Sequence, residues 1–354
     1  MPGPNLPHFQ ANLALPKRVD VVVVGGGIIG ASTALELAER GHSVLLCEKG
    51  QIAGEQSSRN WGWVRISQRD PRELPLMAQA LKIWDGLEER TGHPTGFRRA
   101  GILYTASSGR EEQQLERWAD QLEPFDLPGQ MLRARELEAV MPGCQILPQA
   151  GFFTPQDGRA EPQLATHAIA WAAQAAGAKL MTECAVRAIE TEAGRLSAVI
   201  TERGRVASSA LVVAGGAWSR LFLGNAGIAL PQLKVMNSVL RTSSVQGGPE
   251  NAIWTSGFSL RKRLDGGFTI ANGTENIVDL VPDSLRLGWK FLPSYLQEWR
   301  SLQFRLSGRW REEAGEARRW RVDQKTPFEA CRVLDPAVSQ KGIRQAWAAA
   351  QKAF

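Results

Sequence analysis

Three glycines and one acid carry the most pointed chemistry in this chain. Gly25, Gly27 and Gly30 stand in the order G-x-G-x-x-G directly after Val21-Val22-Val23-Val24, and Glu48 follows 18 residues beyond Gly30. Four consecutive valines read as a strand buried on both faces, as in a parallel sheet. Gly25 permits a tight turn, and Gly27 lets the backbone approach a pyrophosphate. Gly30 lets the helix expected over 31–40 sit close to the strand. The helix N-terminus then faces phosphate charge. Glu48, closing a second strand over 43–47, can accept hydrogen bonds from an adenosine ribose. This context favours dinucleotide binding over an ordinary glycine-rich turn, but the fingerprint alone leaves a nicotinamide and a flavin cofactor undecided.

A second group of polar residues tips that balance. Residues 54–65 (GEQSSRNWGWVR) are too polar and glycine-interrupted for a strand and start without a helical stripe. They read as a donor-rich loop lining a ligand crevice, in which Ser58, Arg59 and Asn60 could grip phosphate or flavin oxygens. Further on, the apolar strand 210–214 runs into Gly215-Gly216-Ala217-Trp218, a second strand and glycine turn suited to one large ligand such as FAD.

Other chemistries find little support. The four histidines (His8, His42, His93, His167) and four cysteines (Cys47, Cys144, Cys184, Cys331) show no metal-ligand spacing. Buried reduced thiols are expected at Cys47 and Cys184, and no metal is expected. A hydrophobic content of 43% with 22% charged residues is that of an ordinary globular protein, and a net charge of +6 over 354 residues is mild. No run reaches the ~18 apolar residues of a membrane helix, and the first 16 residues lack the apolar core of a signal peptide. The expected location is the cytoplasm, with room for peripheral membrane association.

The elements that must position these residues follow from periodicity and punctuation. Helices are expected over 74–90, 111–122, 134–140, 285–306 and 341–354. Another opens at Glu161-Pro162, with proline in its first turn, and runs to Ala176. Strands are expected over 97–105, 179–189 and 234–244, with hairpins over 196–207 and 258–270, the latter turning at Asp265-Gly266-Gly267. The stretch 308–323 interleaves Arg with Trp310 and Trp320; a solvated helix face outweighs nucleic-acid contact there.

Taken in order, the G-x-G-x-x-G strand turn, Glu48, Ser57-Ser58-Arg59-Asn60-Trp61-Gly62, Pro155-x-Asp157-Gly158-x-x-Glu161-Pro162 and Val212-Val213-Ala214-Gly215-Gly216-Ala217-Trp218 resemble the FAD-dependent D-amino acid oxidase-like family. That family includes glycine oxidase, sarcosine oxidase, the D-amino acid dehydrogenases and γ-glutamylputrescine oxidase. The match runs from about Val19 to Asp335. It implies an α/β fold: a Rossmann-type FAD-binding domain (17–95 and 150–228) and an antiparallel-sheet, α+β substrate domain (96–149 and 229–330). The segment 331–354 would lead back to the FAD domain.

By position, Gly25, Gly27, Ile28, Ile29 and Gly30 would contact the pyrophosphate, and Glu48 and Lys49 would lie at the adenosine. Ser58, Asn60, Trp61 and Gly62 would lie beside the pyrophosphate and flavin. The resemblance sets Val186 at the adenine and Gly215 and Trp218 along the cofactor, held noncovalently. It implies oxidation of an amino-acid or amine C–N bond to an imine by hydride transfer to flavin N5, with oxygen or a quinone as acceptor. No catalytic side chain is assigned, since the cofactor supplies much of that chemistry. Arg65 and Arg241 are candidate partners for a substrate carboxylate.

Family members finish with a further segment that returns to the flavin, whereas this sequence stops at Phe354. A second chain completing the site is therefore one expectation. A non-catalytic binding or assembly protein on a flavoprotein fold is the alternative reading, and a tRNA-modifying flavoprotein a weaker one.

Overall fold

The computed structural model describes residues 5–125, 127–273, 276–299 and 302–354. Its first unit is a four-stranded parallel sheet in the order Ala210–Val213, Val21–Val24, Val44–Cys47, Lys179–Met181. Alternate valines explain why the first strand is apolar throughout. Val21 and Val23 face helices Ile28–Glu39 and Pro162–Ala175, meeting Ala34, Leu35, Ile169 and Ala173. Val22 faces the other way, toward Val186, Val199 and Val206. Those three belong to an antiparallel meander, Val186–Glu192, Arg195–Thr201 and Gly204–Ala207, which caps the second face.

The expected single strand over 179–189 is two. Lys179–Met181 ends the parallel sheet and Val186–Glu192 opens the meander. Between them Glu183 adopts φ +47°, a left-handed turn that lets one chain serve both layers.

The second unit is a seven-stranded sheet in the order Val239–Arg241, Phe268–Ala271, Ser259–Lys262, Ala252–Trp254, Ile102–Ala106, Ala150–Thr154, Gln130–Leu132. It is antiparallel except where Ala252–Trp254 runs parallel to Ile102–Ala106. One face packs on helices Leu74–Asp85 and Gly109–Asp120 through Leu81, Leu115 and Trp118. The opposite face meets Ala346, Ala350 and Ala353 of helix Gln340–Ala353.

Two expected boundaries change. Ala150–Thr154 pairs with Ile102–Ala106 in the larger sheet and not with the cofactor segment. The last helix also lies on the larger sheet, because its alanine stripe fits against Leu260, Phe268 and Ile270. The stretch just before that helix lies on the smaller sheet's side, where Lys49 donates to the carbonyls of Cys331 and Arg332.

Other differences have local causes. Gly86 divides the expected helix over 74–90 into Leu74–Asp85 and Leu87–Thr91. The long strand expected over 234–244 is a strand only at Val239–Arg241, with Met236 forming a separate bridge to Ile277. The helix expected over 285–306 becomes Pro282–Leu287, a 3-10 turn, Leu292–Glu298 and a strand Leu302–Arg305; residues 300 and 301 lie outside the described residues. Its apolar stripe is exposed at Leu285, Trp289, Leu292 and Leu296.

Two buried acids of the 154–162 turn tie it to neighbouring segments. Asp157, fully buried, accepts from Ile66 N at 2.7 Å, from Ser67 N at 3.2 Å and from the Ser67 hydroxyl. Glu161 receives Arg261 Nη1 at 2.9 Å and Leu264 N at 2.9 Å, and both members of the ion pair are 3% exposed.

Removing one partner of a buried pair strands the other charge. Arg261→Ala is expected to cost about 3–5 kcal/mol in urea unfolding; a negligible loss would refute this role. Burial pushes the Asp157 carboxyl up to about 6, against the pull of its backbone and hydroxyl donors. Its contribution to stability is therefore full below the ordinary value of 3.8 and is lost as pH rises through about 6. Asp157→Asn should remove about 2–3 kcal/mol of the pH dependence of unfolding over that window. Parallel stability profiles for the two proteins would contradict it.

Candidate functional site

The strand Val21–Val24 delivers the chain to Gly25, where φ is +110°. A Cβ there would sit 2.4 Å from the Ala214 carbonyl oxygen, and one at Gly30 would sit 1.9 Å from the Gly25 oxygen. Both positions therefore require glycine, the first for its turn and approach to the neighbouring strand, the second for helix packing. The helix Ile28–Glu39 starts from this turn, and Ile28 N donates to Ser57 Oγ at 2.9 Å.

A cavity of about 390 Å³ opens over the turn. Gly25, Gly27, Ile28 and Ile29 form its floor, with Glu48, Lys49 and Val186 at one side. Gly215, Trp218 and Asn60 complete the other walls. The Glu48 carboxylate is fixed by Gly26 N at 2.6 Å and Gly50 N at 2.7 Å. Burial raises its pKa, and these two N–H donors oppose the rise. Two oxygens held by one donor each keep lone pairs free for further hydroxyl donors.

Three expected residues sit differently from their assignment. Lys49 lines the cavity, but its ammonium is engaged with Glu55 Oε1 at 2.7 Å and the carbonyls of Cys331 and Arg332 at 2.7 and 2.9 Å. Ser58 is buried with its hydroxyl on the Glu55 carbonyl, so its neighbour Ser57 takes the place at the helix N-terminus. Gly30 is enclosed behind the turn and lines neither this cavity nor the next. The loop 54–65 also holds a short helix, Gln56–Arg59, and a short strand, Trp63–Val64, which its polar composition hid.

A larger cavity of about 950 Å³ continues from the first, the two sharing Glu55, Gln56, Asn60, Gly216 and Ala217. Trp61 forms part of its wall and is braced by Trp63 and Trp254 at ring distances of 5.5 and 5.4 Å. Gly62 leaves room for Arg261, whose Cζ would lie 2.9 Å from a Cβ there.

The two candidate arginines separate. Arg241 lines this cavity and pairs with Asp265 at 3.3 Å. Arg65 does not line it; its guanidinium donates to the Ser67 carbonyl, because the Trp63–Val64 strand pairs with Gly158–Arg159 and carries Arg65 toward Asp157. Sequence reasoning missed Arg261 and Arg263, which also line the cavity. Their period-two spacing in Ser259–Lys262 and its extension was the available signal. Arg263 is consumed by Asp265 and backbone carbonyls, whereas Arg261 Nε has no partner among the described residues.

Several side chains of the basic stretch after residue 308 are engaged within the protein. Arg309 meets Glu313, Arg318 meets Asp283, and Trp320 packs on Phe328 with its indole donating to the Arg187 carbonyl. Among the described residues no cluster of His, Cys, Asp and Glu could hold a metal ion, and no helix is long and apolar enough to cross a membrane.

Fold and cradle define a dinucleotide-binding flavoprotein class, and residues 20–352 match the family model of FAD-dependent oxidoreductases. The chain belongs to that family, whose cofactor is FAD. The glycine oxidase of Geobacillus kaustophilus is 32% identical over 225 residues, 61% of this chain and 59% of that protein. Mouse mitochondrial sarcosine dehydrogenase is 26% identical over 66% of this chain but 26% of its own length. These matches thus span less than two thirds of the relatives concerned. Among solved structures, the L-amino acid deaminase of Proteus myxofaciens, in complex with anthranilate, superposes with a TM-score of 0.94 at 32% identity, covering 99% of this chain and 80% of that one. The L-amino acid deaminase of Proteus vulgaris gives 0.92 at 29% identity, over 98% and 82%.

The donor set suits an adenosine diphosphate: a backbone turn without side chains, a helix N-terminus, and a carboxylate poised for hydroxyls. Glu48→Ala is expected to weaken FAD binding about 10- to 100-fold, the worth of one or two charge-assisted hydrogen bonds. Flavin fluorescence titration of the FAD-free protein would read it, with thermal unfolding as the control; unchanged affinity would place the ribose elsewhere.

Proposed function

We propose that this chain is an amino-acid oxidase or dehydrogenase that acts on the C–N bond of an amino acid through noncovalently held FAD. The observation that carries the reading is the continuity of two cavities, a glycine-turn cradle opening into a larger chamber walled by Trp61 and arginines. Residues Gly25, Gly27, Ile28 and Ile29 would receive the pyrophosphate, Glu48 the ribose, and Val186 the adenine side. Asn60, Trp61, Gly215 and Trp218 would border the route to the flavin ring, while Gly62 lines neither cavity and makes room for Arg261. The smaller sheet with its meander would form the cofactor domain and the larger sheet the substrate domain.

When bound, flavin accepts the hydride equivalent from the carbon that bears the amine. The chain's own part is to orient that carbon and to keep water away. Arg241, sharing Asp265 and less enclosed than Arg261, is the proposed partner of the substrate carboxylate. Trp61, held by its two neighbours, would limit where the side chain can lie. Molecular oxygen or a quinone would take the electrons onward.

The test is anaerobic bleaching of the flavin band by D- and L-amino acids and simple amines. Bleaching by amino acids, with KM raised at least tenfold in Arg241→Ala and FAD affinity unchanged, supports the assignment. A protein that binds FAD yet bleaches with none of the panel would overturn the reading.

A further inference from the structure

A third cavity, of about 350 Å³, adjoins the larger chamber. Ala217, Gln232, Leu233, Lys234, Val281 and Glu313 line both and so form a shared wall. Within that wall Lys234 Nζ meets Glu313 Oε1 at 3.0 Å. The outer cavity therefore stands next to the chamber proposed for substrate, separated from it by an ion pair and a few apolar side chains.

Its charges are unevenly matched. Arg220 and Arg318 converge on Asp283 at 2.7 and 3.0 Å. Burial works against ionisation of that acid, yet the two guanidiniums hold its carboxyl down at about 2. Arg319 also lines the cavity, donates to the Asn225 carbonyl at 3.1 Å, and has no carboxylate partner among the described residues. Glu316 is a half-buried acid in the same cavity, with no hydrogen bond or ion pair to its carboxylate among the described residues. Burial pushes its pKa up, against the opposing pull of Lys234, Arg318 and Arg309. Arg319, which is exposed, and the half-buried Glu316 form no ion pair among the described residues, and together they offer one partner to each charge of a ligand that carries both signs.

We propose that this outer cavity is a second binding site for a zwitterionic α-amino acid. Arg319 takes the carboxylate, and Glu316 takes the ammonium. The Lys234–Glu313 pair divides this site from the inner chamber and would have to part for a ligand to pass. Passage inward rests on the amino-acid reading given above; binding in the outer cavity does not.

The experiment counts sites by equilibrium dialysis with radiolabelled L-leucine. It uses the FAD-loaded chain, reduced beforehand under anaerobic conditions so that nothing is turned over, and the FAD-free chain in parallel. Two leucines per FAD-loaded chain are expected. Glu316→Gln and, independently, Arg319→Gln should weaken one site at least tenfold, leaving the other and its perturbation of the flavin spectrum unchanged. Isoamylamine and 4-methylpentanoate, which lack one charge each, should compete at the outer site at least tenfold less well than leucine. Wild-type affinity and stoichiometry in both variants would overturn the proposal. If leucine leaves the flavin spectrum untouched while one variant-sensitive site remains, the inner-chamber reading fails and the outer site stands.

Discussion

The buried ion pair between Glu161 and Arg261 is the constraint on which the rest of this structure depends. Two charges at 3% exposure survive where nearly all of their remaining donors and acceptors are met, and here Arg261 Nε is the one left over among the described residues. Glu161 meets that demand at the N-cap of helix Pro162–Ala175, where the helix dipole favours an anion. It also accepts from Leu264 N, while Arg261 donates to the Ala160 carbonyl and Thr269 Oγ1. One end of the pair belongs to the helix under the parallel sheet, and the other to a strand of the larger sheet. Their relative placement, and with it the junction of the two cavities, follows from that bond.

Around it, polar groups of the kind that bind ligands are spent on assembly. Lys49 closes on Glu55 and on two carbonyls of the 331–332 segment, and Leu334 N reaches Glu55 Oε1 at 2.8 Å. Trp218 adds its indole N–H to the same carboxylate at 3.1 Å. Glu55 is thus a node joining the second strand's exit, the second glycine turn and the late segment of the chain. Arg332 strengthens the same seam through Glu202. Because these groups satisfy one another, the cradle presents backbone and apolar surface to its interior, and Glu48 remains the acid with lone pairs to offer.

Much of the cradle was legible from order and spacing alone. Val21–Val24, the three glycines and Glu48 interact within a short stretch, so local geometry dictates their arrangement whatever surrounds them. The second glycine turn at Gly215 was legible for the same reason. What the sequence did not disclose lies where chemically equal options compete. Ser57 and Ser58 are adjacent and alike, and only the short helix Gln56–Arg59 decides which hydroxyl meets Ile28 N. Lys49 reads as a ligand residue until the 331–332 carbonyls are brought beside it from some 280 residues away.

The arginines make the same point on a larger scale. With many to choose from, sequence offered Arg65 and Arg241, and the strand pairing of Trp63–Val64 removed the first while the larger sheet supplied Arg261 and Arg263. By itself, then, the sequence determined the dinucleotide turn, its acid and the α/β class, because each rests on contacts between near neighbours or on strict periodicity. The tertiary structure alone decided which charges are consumed by folding and which face a cavity. That outcome depends on pairings between distant segments, whose energies no local pattern records.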